Sequence, residues 1–348
     1  MLTVTALPAS LGDCLWIEYG RKEAPHVILI DAGPSVPKPL KRRLEELHAR
    51  GGYLELVVVT HVDADHIAGM LTLLENKFYG VPIRDFWFNG FRHLPGEVFG
   101  EKQGERLTGL ILKMKMPWNV AFENGPILVD DDSSSYPEVS LPGGAKIILL
   151  SPDAIQLSKL KKSWIEVCGD ADLYADIVPS TEYFGEVESF GIGMPDVDTL
   201  AATKFTEDAT VANGSSIAFA LSYDGIRVLF GADAYPSRLL RSLTALYNNS
   251  PFDFDVVKLP HHGSGNNVST EFVEAMACQQ YIFSSNGARF KHPSKAAVAR
   301  VVRHGSNPKL VFNYKSEFNE DWDNPLLQAN FPYTIEYGNE EGVTLVLS

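Results

Sequence analysis

The feature that most constrains the fold of this chain is a short stretch in which four metal-binding side chains stand close together. Residues 61–66 read His-Val-Asp-Ala-Asp-His, which places two imidazoles and two carboxylates in one segment. The apolar run at 54–59 is short and rich in Val and Leu, and this predicts a buried strand. The apolar spacing at 67–74 predicts one face of a helix. The cluster therefore occupies a strand-to-helix turn.

Side chains of this kind are costly to crowd together without a bound cation. The two carboxylates repel each other, and all four groups lose hydration when they are packed into a turn. Histidine nitrogen and carboxylate oxygen are ligands for zinc and for other divalent metals. The stretch therefore predicts a metal site. The alternative is a solvated polar turn in which Asp65 caps the following helix.

Composition limits the class of protein. Hydrophobic residues make up 45% and charged residues 21% of 348, as in ordinary globular proteins. No apolar stretch approaches the roughly 18 residues of a membrane span, and residues 1–5 begin as a strand, so we expect neither membrane association nor a secretory signal. Cys14, Cys168 and Cys278 are widely spaced. We therefore expect reduced core cysteines and a cytoplasmic location.

The formal net charge of −14 argues against a broad basic surface that grips a nucleic acid backbone. It is compatible with a phosphodiester substrate, nucleic acid included, because bound metal ions supply local positive charge that the residue count omits. The sequence does not address the oligomeric state.

The order of apolar segments predicts an α/β protein. Strands alternate with helices over residues 1–80 and again over 208–348, with an amphipathic helix at Lys38–Ala49 as the first of them. The pattern loosens between residues 81 and 207. We predict one domain over 1–348, with 81–207 as an elaboration within it.

Further acidic and histidine residues stand where predicted strands end. Asp233 follows one strand, the pair His261 and His262 follows the next, and His292 lies in a later loop. If these strands run side by side, their tips meet at one edge and can surround two cations. A shared carboxylate and a shared hydroxide then lie between metals about 3.5–4 Å apart. The local alternatives are a helix N-cap for Asp233 and an ordinary loop residue for His292.

Three motifs together resemble the metallo-β-lactamase fold superfamily of hydrolases. Asp31-Ala32-Gly33 is similar to its first motif, His61-x-Asp63-x-Asp65-His66 to its second, and Gly231-Ala232-Asp233 to the segment that carries its bridging aspartate. The resemblance implies a four-layer αββα sandwich and a binuclear metal-dependent hydrolase. It covers nearly the whole chain except the middle elaboration.

Two details resemble one branch of that superfamily. The second motif has Asp63 where histidine is commoner, and Pro260-His261-His262-Gly263-Ser264 lies downstream, with Gly12-Asp13 near the start. This combination is similar to the hydrolase domain of the competence DNA-uptake channel and to the teichoic-acid phosphorylcholine esterases. Transport is not implied.

One departure affects the metal ligands. Common family members have another histidine before the bridging aspartate, whereas this chain reads Asn213-Gly214-Ser215-Ser216 there. A nitrogen must then come from the histidine pair at 261 and 262, and either one can supply it. The ligands that we expect are, for one metal, His61, Asp63 and His262; for the other, Asp65, His66 and His292; and, between the two, Asp233.

Other residues are expected to support these ligands or to act on the substrate. Whichever of His261 and His262 is not a ligand is free to donate a proton to the leaving group or to bind the oxyanion; we assign catalysis to His261 and Asp65. Asp31 either orients a ligand or forms an ordinary turn. Residues expected near the ligands or the substrate are Asn213, Ser215 and Lys258, with Lys258 and Arg92 as candidate phosphate contacts.

The leading functional hypothesis is a phosphodiesterase or nuclease with two divalent metals, zinc first and manganese or iron as alternatives. The hydroxide that bridges the metals would be the nucleophile. The second hypothesis is a hydrolase of carboxyl esters, lactones or thioesters. The third is a metal-stabilised binding or regulatory component with little turnover. The absence of the usual histidine before the bridging aspartate suggests it.

Overall fold

A computed structural model describes residues 1–95, 106–131, 135–170, 194–248 and 250–348. The strands, in chain order, are β1 (Leu2–Ala6), β2 (Leu15–Arg21), β3 (Ala24–Ile30), β4 (Leu56–Val58), β5 (Phe86–Trp87), β6 (Glu138–Ser140), β7 (Lys146–Ser151), β8 (Ala218–Tyr223), β9 (Ile226–Phe230), β10 (Phe252–Asp253), β11 (Val256–Lys258), β12 (Met276–Ala277), β13 (Gln280–Phe283), β14 (Lys309–Phe312), β15 (Thr334–Tyr337) and β16 (Val343–Leu347).

The helices, in chain order, are α1 (Lys38–Ala49), α2 (Ala64–Glu75), α3 (Arg106–Met114), α4 (Ala154–Asp170), α5 (Val197–Ala201), α6 (Val211–Gly214), α7 (Pro236–Tyr247), α8 (Thr270–Glu274), α9 (Lys295–His304) and α10 (Pro325–Asn330). Among these described helices, none combines the length and the apolar character that a membrane crossing requires.

Most strands lie in two large sheets. The first has the order β16-β1-β2-β3-β4-β5, and the second has the order β15-β14-β13-β11-β9-β8-β7-β6. Each sheet joins an antiparallel part to a parallel part. In the first, β3, β4 and β5 are parallel; in the second, the parallel part runs from β9 through β11, β13 and β14 to β15. Strands β10 and β12 form a separate short parallel pair.

Buried side chains show how the layers stack. One cluster joins the two sheets face to face and includes Val4, Ile28 and Phe230. A second packs α1 to α4 on the outer face of the first sheet, and a third packs α7 to α9 on the outer face of the second. The predicted four-layer αββα sandwich is therefore confirmed.

The apolar pattern explains why these helices dock. In α1 the buried positions include Leu40, Leu44 and Leu47, which recur at helical spacing on one face, while the charged residues of the helix face water. Full burial of each leucine contributes about 1.5–3 kcal/mol relative to exposure. The predicted bounds of α1 agree with the structure.

The middle segment contributes to layers on both sides of the sandwich. β5 extends the first sheet, β6 and β7 extend the second, and α3 and α4 join the outer cluster of the first. The sequence analysis did not predict α4, because three lysines among residues 159–162 interrupt the apolar run that Leu157, Leu160 and Trp164 continue at helical spacing. Residues 171–193, which belong to the segment where the predicted pattern loosens, lie outside the described residues.

The sheet register brings several strand ends to one edge. Ile30 pairs with Val58 in the first sheet, and Phe230, Lys258 and Ile282 lie side by side in the second. The loops that follow β3, β4, β9, β11 and β13 therefore leave the sandwich close together. These loops carry the acidic and histidine residues that the sequence analysis singled out.

Candidate metal centre

The loops after β3 and β4 are joined by Asp31, Thr60 and His66. One carboxylate oxygen of Asp31, Oδ1, accepts a hydrogen bond from the Thr60 amide at 2.9 Å. The other, Oδ2, lies 2.7 Å from Thr60 Oγ1 and 2.8 Å from His66 Nδ1. Asp31 is fully buried. The carboxylate fixes the proton of His66 on Nδ1 and leaves Nε2 as the free ligand atom, the usual arrangement behind a metal-bound histidine.

Two glycines allow neighbouring loops to approach this turn. A Cβ atom at Gly12 would lie 1.6 Å from the carbonyl oxygen of Asp65, and one at Gly69 would lie 2.1 Å from that of Ala32. Both obstacles are backbone atoms, which cannot rotate away as a side chain does. Gly12 therefore lets the 10–13 loop contact the turn that carries Asp65.

The histidine pair after β11 lies in an unusual backbone conformation. His261 has φ = 47° and His262 has φ = 55°, both in the left-handed region that costs non-glycine residues of the order of 1–3 kcal/mol each. The amide of His261 donates to the carbonyl oxygen of Ala232 at 2.9 Å, which ties the pair to the loop after β9. This conformation directs both imidazole rings toward the strand ends.

A buried network lies behind His262. Asp13 Oδ1 is 3.2 Å from His262 Nδ1 and also accepts from Ser284 Oγ, while Asp13 Oδ2 accepts from Lys258 Nζ. Lys258 is fully buried, and its ammonium group pairs with the Asp13 carboxylate. The expectation that Lys258 contacts a substrate phosphate is therefore corrected; the residue neutralises Asp13 and supports His262 from within the core.

Asp233 lies at the middle of the histidines. Its Oδ2 atom is 3.4 Å from the Nε2 atom of His66, 3.7 Å from those of His261 and His262, and 3.8 Å from that of His61. The carboxylate is buried. An oxygen in contact with ligand atoms from four histidines is placed to be shared between two cations.

One group of donors surrounds a space on one side of Asp233. His66 Nε2 and His262 Nε2 are 3.2 Å apart, and they lie 3.7 Å and 3.3 Å from Asp65 Oδ2. Donors held about 2.0–2.1 Å from a tetrahedral zinc ion stand about 3.3 Å from one another. The spacing of Asp65, His66, His262 and Asp233 therefore suits one ion of that size.

The remaining donors around Asp233 are His61, Asp63 and His261. His61 Nε2 is 3.5 Å from Asp63 Oδ2 and 3.8 Å from Asp233 Oδ2, and His261 Nε2 approaches the same Asp233 oxygen at 3.7 Å. The expected grouping thus differs in two respects. His262 lies with Asp65 and His66, where we had expected His292. We place His261 with His61 and Asp63, where we had expected His262.

Two atoms at the centre are buried without a hydrogen-bonding partner among the described residues. They are His61 Nε2 and Asp233 Oδ1. Leaving such atoms unpaired costs about 1–3 kcal/mol each, and both belong to the proposed ligand groups. The donor set, the spacing and the unpaired atoms all fit two divalent cations.

The charges of these groups depend on one another. Burial would raise the pKa of the Asp233 carboxyl, but the surrounding imidazoles, His66 foremost, hold that pKa well below its usual range. Burial acts likewise on Asp65, yet His66 and His262 lower its pKa to about 2. Burial would lower the pKa of His261, but Asp233 and Asp208 raise it to about 9. The carboxylates are thus ionised and attract cations.

His292 lies beside the ligand groups. Its ring centroid is 5.1 Å from that of His261 and 6.4 Å from that of His262. Burial and the two neighbouring histidines lower the pKa of His292 well below its usual value, which keeps the imidazole neutral. Phe290 stacks on the other side at 6.0 Å and is 41% exposed. His292 therefore stands between the centre and the solvent.

The remaining residues expected at the site are Asn213, Ser215 and Arg92, and each has different contacts. Asn213 Nδ2 donates to Asp208 Oδ2 at 2.6 Å and lies 3.3 Å from His261 Nδ1. Ser215 is buried, and its hydroxyl donates to a backbone carbonyl at 2.6 Å, so a substrate contact through that hydroxyl is corrected to a role in the turn. Arg92 lies over the Trp118 ring at 4.1 Å. Its role as a phosphate contact stays a prediction.

Sequence reasoning missed three residues that contact the ligand histidines: Asp13, Asp208 and Asn267. Gly12-Asp13 was noted only for its resemblance to a family branch. Ligand atoms of Asp13, His66, Asp233 and His262 lie within 4.8 Å of one another. Asp13 nevertheless faces Nδ1 of His262, on the side of the ring away from Asp65 and Asp233, and its oxygens already accept from Lys258 and Ser284. We therefore assign Asp13 to the support of His262.

Comparison with known proteins adds a local match. Residues 26–87 match the family model described as Beta-lactamase superfamily domain. That range contains Asp31 and the cluster from His61 to His66. No curated protein matches the chain. The branch suggested by Pro260–Ser264 therefore stays a prediction.

One solved structure similar to this chain is the metallo-β-lactamase fold protein YhfI from Bacillus subtilis. The two are 10% identical, and the similarity covers 99% of this chain and 98% of that one, with a TM-score of 0.40. The α/β sandwich and the local match over residues 26–87 are the findings on which a functional proposal rests.

Proposed function

We propose that this protein is a binuclear metal-dependent hydrolase that cleaves phosphodiesters. The observation that carries the proposal is the position of Asp233, whose Oδ2 atom lies 3.4–3.8 Å from the Nε2 atoms of four histidines. A carboxylate shared in this way is typical of sites in which two metals act together. The local match to a Beta-lactamase superfamily domain supports the same class of chemistry.

The residues that would hold the metals fall into two groups around Asp233. One group is Asp65, His66 and His262; the other is His61, Asp63 and His261. Histidine with carboxylate suits zinc, and the carboxylate content also suits manganese or iron. When bound, such ions lower the pKa of water and neutralise charge on the oxygens of the reacting group.

The protein's own contribution is to fix the ligands and to leave one side open. Asp31 and Asp13 hold His66 and His262 through Nδ1, so that Nε2 of each ring faces Asp233. Asp63 is 34% exposed, which marks the side of the centre that a substrate can reach. His292 lies next to His261, and its neutral imidazole can accept a proton.

Phosphodiesters are favoured over carboxyl esters by the number and the arrangement of the expected cations. Two metals held by these residues would neutralise charge on both the attacking and the leaving oxygen of a phosphodiester. They also supply the positive charge that a chain of net charge −14 otherwise lacks for binding a phosphate. Nucleic acid is one candidate substrate within this class.

Purified protein loaded with zinc or manganese tests the proposal. We expect hydrolysis of bis(p-nitrophenyl) phosphate, loss of that activity with a chelator, and loss in Asp65→Ala. The matched control is Asp224→Asn in the exposed turn between β8 and β9, which should act like the wild type. Cleavage of p-nitrophenyl butyrate without cleavage of any phosphodiester, under every metal tried, would instead favour the ester hydrolase.

A further inference from the structure

Asn213 takes part in a network around His261. It lies in the segment where common family members have a histidine before the bridging aspartate. Asn213 Nδ2 donates to Asp208 Oδ2 at 2.6 Å and lies 3.3 Å from His261 Nδ1. Asn213 is buried. The Asn213 amide therefore contacts His261 and its neighbour Asp208. The metal-binding nitrogen that a histidine would supply at this position must come from another residue.

Asp208 is the hub of this network. Its Oδ2 atom accepts from the side-chain amides of Asn213 at 2.6 Å and Asn267 at 3.2 Å, and lies 3.6 Å from His261 Nδ1. Its Oδ1 atom accepts from the amide and the hydroxyl of Thr210, at 2.8 Å and 2.6 Å. Only 8% of the side chain is exposed. A buried carboxylate with this many donors is held in one orientation.

The network fixes which nitrogen of His261 carries a proton. Nδ1 lies 3.0 Å from Asn267 Oδ1, which can only accept, and the Asp208 carboxylate is the next acceptor. The Asn213 amide nitrogen lies farther from Nδ1, at 3.3 Å, and already donates to Asp208 Oδ2 at 2.6 Å. Nδ1 is therefore the protonated nitrogen of the neutral ring, since its nearest neighbour is an acceptor. Nε2 keeps its lone pair and points toward Asp233 Oδ2 at 3.7 Å.

We propose that Asp208 is a positioning residue that presents His261 Nε2 to a metal. The metal is the one assigned above to His61 and Asp63, so this inference rests on the binuclear centre of the proposed function. The histidine pair is then divided between the two cations. His261 serves one metal with Asp208 behind it, and His262 serves the other with Asp13 behind it.

A related arrangement occurs at three histidines of the centre. Asp31 lies 2.8 Å from His66 Nδ1 and Asp13 lies 3.2 Å from His262 Nδ1. At His261 the Asn267 amide oxygen lies 3.0 Å from Nδ1, and the Asp208 carboxylate stands at 3.6 Å. Carboxylate partners of this kind orient metal-bound histidines, and their loss typically weakens metal binding by about 10–100-fold. His261 is then a ligand, and it is unavailable as the proton donor that the sequence analysis suggested.

Cobalt titration of the metal-free full chain tests the proposal. Cobalt(II) accepts the same nitrogen and oxygen donors, and its visible absorption reports on the donor set. We expect the wild type to bind two ions per chain and His261→Ala to bind one tightly. Asp208→Asn should weaken one of the two ions by about 10–100-fold and leave the other unchanged.

Matched controls separate positioning from a general effect on the fold. Asp198→Asn removes a carboxylate that is 71% exposed and pairs with Arg303, and we expect its two cobalt affinities to equal those of the wild type. Asp31→Asn should weaken the other ion, the one assigned to His66. Thermal unfolding in chelator shows whether each variant folds. If Asp208→Asn does not fold, Asn267→Ala removes the Nδ1 acceptor and tests the same point.

Three results would overturn the proposal, and they differ from one another. Two cobalt ions bound by Asp208→Asn with wild-type affinities would remove the positioning role. Two ions retained by His261→Ala, with only turnover lost, would make His261 a proton donor. A wild type that binds a single ion would overturn the binuclear function itself, and the inference with it.

Discussion

Asp233 Oδ2 lies 3.7 Å from the Nε2 atoms of both His261 and His262, so two adjacent residues of the chain each bring a ring nitrogen to one carboxylate oxygen. The left-handed conformation of both histidines makes this possible. Each ring is held from behind by a different part of the chain, Asp13 for His262 and Asp208 with Asn267 for His261. The pair therefore joins two halves of one centre.

The carboxylate behind His66 gives the first prediction. Asp31→Asn keeps the shape of the side chain but removes the charge that fixes His66 Nδ1–H. We expect zinc to bind about 10–100-fold more weakly at that metal. Competition with a chromogenic chelator measures the change, with Asp224→Asn as the exposed control. Unchanged zinc affinity in Asp31→Asn would show that Asp31 has no part in holding the ligand.

Metal uptake should depend on pH through His261. In the metal-free protein burial would lower the pKa of His261, but Asp233 and Asp208 raise it to about 9. Below that pH a metal must displace a proton, so affinity should rise as pH rises, by about tenfold per pH unit for each proton displaced. Zinc titration from about pH 6 to about pH 8 tests this expectation. An affinity independent of pH would contradict it.

The raised pKa of His261 also affects the stability of the metal-free protein, which should fall as pH rises, whereas metal affinity should increase. Because the pKa of His261 is higher in the folded than in the unfolded chain, its contribution to stability is complete below the ordinary histidine pKa of 6.5. That contribution is lost as pH rises from there through about 9. Urea unfolding in chelator should therefore show a loss over this range, and His261→Gln should reduce the loss. An equal loss in His261→Gln would assign the effect to other groups.

The buried pair of Lys258 and Asp13 gives a stability prediction. Lys258→Met leaves the Asp13 carboxylate buried without its cation, which costs about 3–5 kcal/mol of unfolding free energy. Lys315→Met is the matched control, because Lys315 is 52% exposed where it pairs with Asp323, and its loss costs below about 1 kcal/mol. Urea denaturation of the metal-free proteins compares them. Equal small losses would mean that Lys258 does not neutralise Asp13.

His292 provides a prediction that separates catalysis from metal binding. It lies next to His261 and outside both ligand groups, so His292→Ala should keep both metals. We expect phosphodiester turnover to fall by about 10²–10⁴-fold, as for a general base. Metal analysis and kinetics on the same preparation test both parts. Loss of one metal in His292→Ala would restore the original expectation that His292 is a ligand.

The sequence was most informative where metal-binding side chains stand next to an apolar pattern that predicts a strand or a helix. The cluster from His61 to His66 stood between a recognisable strand and helix, and the structure places both elements there. Asp233 and the histidine pair followed strands whose parallel pairing could be anticipated. These signals are local, because each needs only the residues on either side of it.

The supporting residues could not be predicted in the same way. Asp13 reaches His262 across 249 positions of the chain, and Asp208 approaches His261 from the irregular segment that precedes α6. A single aspartate in a loop has no periodic signal, and only the folded chain shows which ring it faces. The same limit explains why Lys258, which follows two valines at a strand end, was first expected at the substrate.

The most direct test of the binuclear centre is the metal content of the wild type and of Asp233→Asn, measured by inductively coupled plasma mass spectrometry after loading with zinc. The matched control is Asp255→Asn, a carboxylate away from the centre that accepts from the Arg227 amide. We predict about two zinc ions per chain in the wild type and in the control, in keeping with the two-metal site. In Asp233→Asn we predict fewer than one ion, with loss of phosphodiester hydrolysis. One ion or none in the wild type, or two ions retained in Asp233→Asn, would contradict the account.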